Sequence, residues 1–175
     1  MYYADIKKTD IANGPGVRLS LFVSGCTHHC KGCFNEETWD FHYGKEFTEQ
    51  TMNDFLTELG KPYYCGITLL GGEPFEHSNQ IGLLPLVRKV RQLYPEKTIW
   101  CFSGYLFDRD IVETMCKKWP ETKELLSYID VLVDGEYVQD LYDISLRFRG
   151  SSNQRIIRVA DSLQKGTIVP YEFDY

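Results

Sequence analysis

The sequence has no long hydrophobic run: no apolar stretch approaches the roughly 20 residues of a membrane span. It has no basic excess. Nineteen Lys and Arg stand against 25 Asp and Glu, for a net charge of −6. Nothing in that balance favours general binding to nucleic acid or to an anionic membrane. The opening residues, MYYADIKKTD, lack an apolar core behind a basic start. That excludes the pattern of a secretory signal, and the expected location is cytoplasmic. There is no internal repeat, low-complexity tract or long linker, so a single domain over residues 1–175 is expected, long enough to bury one core. Nor is a disulfide framework expected. The six cysteines lie in a chain too large and too rich in core residues to need staples.

What the chain does have is three cysteines within eight positions. GCTHHCKGCFN, residues 25–35, sets Cys26, Cys30 and Cys33 in a C-x3-C-x2-C pattern. Cys65, Cys101 and Cys116 lie singly in apolar surroundings and are expected to be buried core thiols. Thiolates are soft ligands that select zinc, copper(I) or iron–sulfur clusters. A structural zinc takes four protein ligands, usually as two separated C-x2-C pairs. The second pair is missing, although His28, His29 or His42 offers a fourth ligand, so a zinc-binding adaptor stays open. His28 and His29 sit inside the short loop, where their rings can hardly join the same tetrahedron; as ordinary residues they are expected to be exposed. A [4Fe–4S] cluster explains a triplet differently. Three cysteines hold three irons and leave the fourth open to an outside ligand.

Strands and helices alternate around this loop. Strands are expected at 17–23 (VRLSLFV), 64–72 (YCGITLLGG), 98–104 (TIWCFSG), 129–137 (IDVLVDGEY) and 154–159 (QRIIRV). Helices are expected at 47–60, with Thr48 as N-cap and Gly60 as C-cap, at 79–95, interrupted by Pro85, and at 107–119. The strands are too apolar to be half exposed, which suits a parallel sheet covered by helices. Alternation implies right-handed β-α-β units. A closed eight-fold barrel takes about 250 residues. The expected fold is therefore α/β, an incomplete, open-sided barrel of five or six β/α units on a parallel sheet. Ligands bind such folds at the carboxyl ends of the strands. Gly25, Gly71–Gly72–Glu73, Ser103–Gly104 and Asp134–Gly135 all fall there, on one rim.

The stretches GPGVRLSLFVSGCTHHCKGCFN, TLLGGEPF, FSGY, VLVDGEY and LRFRGSSNQRIIRV span Gly14 to Val159. A C-x3-C-x2-C loop after one strand and GGEP after the next resemble the radical S-adenosylmethionine superfamily. The chain is most similar to its small glycyl-radical-enzyme activases, in particular those that serve the anaerobic ribonucleotide reductase. The resemblance implies Cys26, Cys30 and Cys33 as ligands of a [4Fe–4S] cluster whose open iron binds S-adenosylmethionine. It implies contacts to that cofactor from Gly32, Cys33, Phe34, Gly71, Gly72 and Glu73, with Ser103 and Asp134 as contacts to its ribose or methionine part. Gly32 stands where much of the superfamily has an aromatic, so adenine stacking falls to Phe34 or to backbone. No side-chain acid or base is required. The implied partners are the large glycyl-radical subunit of the anaerobic ribonucleotide reductase and a flavodoxin-like electron donor. Pyruvate formate-lyase activases and 7-carboxy-7-deazaguanine synthases are similar small radical enzymes and remain alternatives.

Two further features carry both a plain and a functional reading, and a third only a plain one. Arg147–Arg158 holds four arginines and no acid; it is a solvated edge or a surface for an acidic partner or for the cofactor carboxylate. Trp39, Phe41 and Tyr43 are core packing or a partner face. Arg18, among apolar neighbours, is expected to face solvent.

Overall fold

The computed structural model describes residues 1–173. Seven strands form one sheet in the order β3-β1-β2-β4-β5-β6-β7. They are β1 (Tyr2–Asp10), β2 (Val17–Val23), β3 (Lys45–Glu46), β4 (Tyr64–Gly71), β5 (Thr98–Phe102), β6 (Val131–Asp134) and β7 (Arg155–Arg158). The central four, β2-β4-β5-β6, are parallel. Their sequences, such as VLVD in β6 with every residue buried, are mostly apolar because both faces are covered: Leu132 packs in the cluster under the helices, Val131 and Val133 in a second one around Trp100.

The α/β, open-sided architecture is the expected one, with antiparallel additions at both edges. β1 and β3 join antiparallel beside β2, and β7 runs antiparallel to β6. The reason is local. Parallel neighbours need a crossover, usually a helix. Residues 11–16 are too short for one, and residues 135–154 contain only the single short turn Gln139–Leu141. QRIIRV is thus a strand, as expected, but it runs against its neighbour.

The helices are α1 (Glu49–Leu59), α2 (His77–Leu93), α3 (Cys116–Lys118), α4 (Pro120–Tyr128) and α5 (Val159–Lys165). Thr48 caps α1 as expected, its hydroxyl accepting from the Thr51 N–H at 3.1 Å. Pro85 does not interrupt α2: it and Ile81, whose carbonyl it leaves without a donor, both face solvent. The segment Phe107–Met115 winds with π pitch before entering α3. α4 follows a helix-starting Pro120 and was not anticipated. α2 and α4 pack against the sheet through Leu83, Leu86, Val87, Val90, Leu125 and Leu126, all buried on Leu19, Leu21, Ile67, Leu69, Ile99 and Leu132. Among the described residues no helix is long and apolar enough to cross a membrane.

Arg18 corrects an expectation. It is 1% exposed, inside the barrel floor. Its five N–H groups are taken by Thr68 Oγ1, Thr98 Oγ1 and the carbonyls of Pro15, Ile67 and Thr98. Its guanidinium also lies over the Trp100 ring. Burial lowers its affinity for its proton, to about 10, and the complete set of acceptors makes the charge tolerable there.

Candidate functional site

The rim at the carboxyl ends of the parallel strands is assembled by backbone. The Gly25 N–H donates to Thr38 O at 2.7 Å, and the Gly72 N–H donates to Val23 O at 2.8 Å. The Glu73 N–H donates to Gly25 O, also at 2.8 Å. The cysteine loop after β2 and the GGEP turn after β4 are thereby one backbone unit. Gly72 is obligatory: a Cβ there would lie 2.6 Å from Gly25 O and 2.9 Å from Thr38 O. Gly71 turns the chain at φ +104°, a conformation that other residues avoid.

Cys26, Cys30 and Cys33 all face one open cavity of about 370 Å³, within the range of sites for small ligands. Their sulfurs have donors nearby. The Asn35 N–H lies 3.4 Å from Cys33 Sγ, and nearby backbone N–H groups, of His28 and His29 at Cys26 and of Tyr137 at Cys30, partly offset the effect of burial on those two thiols. Burial pushes the Cys26 thiol up to about 12 and also raises that of Cys30. A bound metal reverses that, because coordination deprotonates a thiol outright.

The same cavity is lined by Phe34, Gly71, Gly72, Glu73 and Ser103, so five of the expected cofactor contacts surround the cysteines. Phe34 is 66% exposed, at the mouth against Tyr137 and Tyr142. Two expectations do not meet the cavity. Gly32 sits behind it in the left-handed turn between Cys30 and Cys33, against Gln139. Asp134 is fully buried and turned away. Its carboxylate accepts twice from Arg155 and, at 2.7 Å, from the Phe107 N–H, so it is engaged away from the cavity.

Glu73 is engaged as well. It is fully buried and accepts from Ser103 Oγ (2.8 Å), Gly104 N–H (2.7 Å) and Phe75 N–H (2.8 Å). Its last partner is His28, at 2.7 Å from Nε2, while Nδ1 lies 2.9 Å from Glu136. His28 is therefore no exposed loop residue: its side chain is 9% exposed and stacks edge-on with Tyr105. Burial works against its charge, but hydrogen bonds to the two carboxylates outweigh that and lift it to about 9. Both ring nitrogens then donate. His29 is exposed as expected, and stacks on Trp39 at 4.3 Å.

Sequence reasoning did not single out Asn35, Phe102, Tyr137, Phe148 or Gln154, which complete the wall. Trp39 also lines it. Its indole Nε1 is, among the described residues, the one buried side-chain donor without a partner. Of the four arginines near the end, Arg149 lines the cavity and donates to Ser152 O and Gln154 O, Arg155 holds Asp134 and Asp108, and Arg158 pairs with Asp161. Arg147 stacks over Phe148 and Phe173. Of the lone cysteines, Cys101 is buried as expected and Cys116 partly so, but Cys65 is exposed at the start of β4.

Among the described residues no three His, Cys, Asp or Glu side chains converge closely enough to hold a single metal ion. Three sulfurs spread around one cavity suit a cluster, whose irons are themselves spread, better than a tetrahedral zinc.

Comparison with known proteins agrees. The family model of a 4Fe-4S single cluster domain matches residues 12–157. The anaerobic ribonucleoside-triphosphate reductase-activating protein of Pasteurella multocida is 41% identical over 160 residues, 90% of this chain and 98% of its own. The protein of the same name from Enterobacteria phage T4 is 40% identical over 165 residues, 94% of this chain and 99% of its own. The one from Escherichia coli K12 is 41% identical over 156 residues, 88% and 96% of the two chains. No solved structure matches.

Proposed function

The chain belongs to the family of anaerobic ribonucleoside-triphosphate reductase-activating proteins and carries a 4Fe-4S single cluster domain, and from that premise we propose that it activates such a reductase by radical S-adenosylmethionine chemistry. When bound, a [4Fe–4S] cluster with one open iron supplies the electron that splits S-adenosylmethionine into methionine and a 5′-deoxyadenosyl radical, which takes a hydrogen atom from a glycine of the reductase. A flavodoxin-like protein is the proposed source of that electron.

The residues present fit these groups. Cys26, Cys30 and Cys33 are the proposed cluster ligands, and the Asn35 N–H is already aimed at the Cys33 sulfur. Trp39 lines the same wall, and its buried indole N–H is without a partner among the described residues. The Gly71–Gly72 turn brings bare backbone to the cavity beside the thiols, where its carbonyls can hold the amino group of a bound methionine. Ser103 adds to that wall, and Phe34 at the mouth offers a face to the adenine. Phe102 and Phe148 line the same cavity and help keep water from a radical. Asp134, fully buried and held by Arg155, is not among the proposed cofactor contacts. The protein's task is orientation, and no acid–base pair is needed.

The observation that carries this reading is the convergence of three thiols and the GGEP turn on one cavity. The test is anaerobic reconstitution with iron and sulfide, reduction with dithionite, and addition of S-adenosylmethionine. The expected result is a brown protein that releases methionine and 5′-deoxyadenosine and, with the reductase added, gives a glycyl radical signal in electron paramagnetic resonance. A colourless protein that takes up zinc and cleaves nothing overturns it in favour of a structural clip.

A further inference from the structure

The loops that follow all four parallel strands meet on one buried pair of side chains. His28 comes from the loop after β2, and Glu73 from the turn after β4. Ser103 and Gly104, after β5, donate to Glu73. Glu136, after β6, takes the other nitrogen of His28. Phase and reach leave little slack. Each oxygen of Glu73 accepts two bonds, none longer than 2.8 Å, and its side chain is fully buried. A carboxylate with four donors has no lone pair left for the ammonium group of a ligand.

His28 also stands between two cavities. It lines the cysteine cavity on one side and, on the other, an outer pocket bounded by Leu106, Arg109, Asp110 and Asn153. The ring is the partition, and Gly104 leaves room for it: a Cβ there would come within 2.7 Å of His28 Cδ2 and Nε2.

We propose that His28 is a positioning residue: by clamping Glu73 and Glu136 together it sets the cysteine loop in register with the glycine turn, and Glu73 serves as the hub of that clamp and does not contact the cofactor. The clamp ties the loop that carries the thiols to the turn that meets the cofactor, so its loss loosens their mutual placement without removing a ligand to either. This inference rests on the reading that the cavity holds a cluster and S-adenosylmethionine.

The test uses the full chain with His28→Ala and His28→Gln. Gln retains a donor for one carboxylate but cannot bridge two. Hydrogen exchange on the protein before reconstitution reads the clamp directly, because the Phe75 and Gly104 amides donate to Glu73. The expected result for His28→Ala is exchange at those two amides faster by about tenfold, the worth of one charge-assisted bond, with the core strands unchanged. After reconstitution, iron and sulfide content stay at the wild-type level. The S-adenosylmethionine concentration that half-perturbs the reduced-cluster resonance signal rises by about tenfold, and His28→Gln falls between. Wild-type exchange together with wild-type affinity overturns the proposal. Faster exchange throughout the sheet overturns it too, since His28 would then be a general stabiliser. A wild-type protein that builds no cluster defeats the functional reading instead, and the exchange measurement still decides the clamp.

Discussion

A buried indole N–H without an acceptor costs about 1–3 kcal/mol, which a folded protein seldom leaves uncompensated. Trp39 carries such a group in a side chain that lines the cysteine cavity. A cluster sulfur accepting that hydrogen bond gains most when the cluster is reduced and more negative, so the bond favours the reduced state. Replacing Trp39 by Phe keeps the ring that stacks on His29 and removes the donor. The reconstituted Trp39→Phe protein is expected to have a lower midpoint potential, by about 40 mV. That figure is a bond of roughly 1 kcal/mol expressed in a one-electron couple, where 59 mV is tenfold. Redox titration followed by electron paramagnetic resonance checks it, and an unchanged potential places the indole's partner elsewhere. Cys26, Cys30, Cys33 and the GGEP turn were legible in the sequence because ligation and close backbone approach demand particular residue types at fixed spacing. His28 was legible only as a loop residue. Its partners Glu73 and Glu136 lie 45 and 108 positions away, and no local pattern joins them. Trp39 was ambiguous for a related reason, since an aromatic after a metal loop reads equally as packing.

At the scale of elements, the edge of the barrel depends on one ionic joint. Arg155 of β7 donates to Asp134 at the end of β6 and to Asp108 at the start of the π-pitched helix. Asp134 is fully buried, whereas Asp108 is half exposed. Removing Arg155 leaves the Asp134 carboxylate buried with only the Phe107 N–H. Breaking a buried pair from one side costs about 3–5 kcal/mol; the Arg is itself partly solvated, so the lower end applies. Arg155→Ala is expected to lower the melting temperature by roughly 6–12 °C, at about 2–4 °C per kcal/mol for a chain of this size. Arg158→Ala, which removes an exposed pair with Asp161, is expected to shift it by less than about 3 °C. Equal shifts in the two variants would refute the joint. The same joint explains why Asp134 did not join the site. A strand-end acid in VLVDGEY looks like a rim ligand until β7, running antiparallel, brings an arginine beside it. The parallel strands themselves were legible because strands covered on both faces are mostly apolar along their length. β1 was not: in YYADIKKTD only Asp10 is buried, so neither the alternation nor the apolar run of a strand shows.

Over the whole molecule, the proposed cluster and the hydrophobic core occupy different places. The core runs between the sheet and α1, α2 and α4, through residues such as Leu19, Phe55, Ile67, Leu86 and Ile99. Cys30 and Cys33 lie on the rim, only partly buried, and neither belongs to it. A zinc finger, whose core cannot close without its metal, is unfolded when stripped; a chain of 175 residues with this core is not in that position. Protein prepared without iron is therefore expected to keep its far-ultraviolet circular dichroism and to unfold in one cooperative transition. Binding to the folded state alone still adds stability by linkage, so reconstitution should raise the melting temperature while the helix and strand content stays constant. The added protection against hydrogen exchange should concentrate in residues 24–39 and in the turns at 71–76 and 103–106, because those loops face the cavity or are clamped to it. An unfolded apo-protein, or protection spread evenly over the sheet, would mean that the cluster is part of the core, and that the rim does not act as a site mounted on an independently stable barrel.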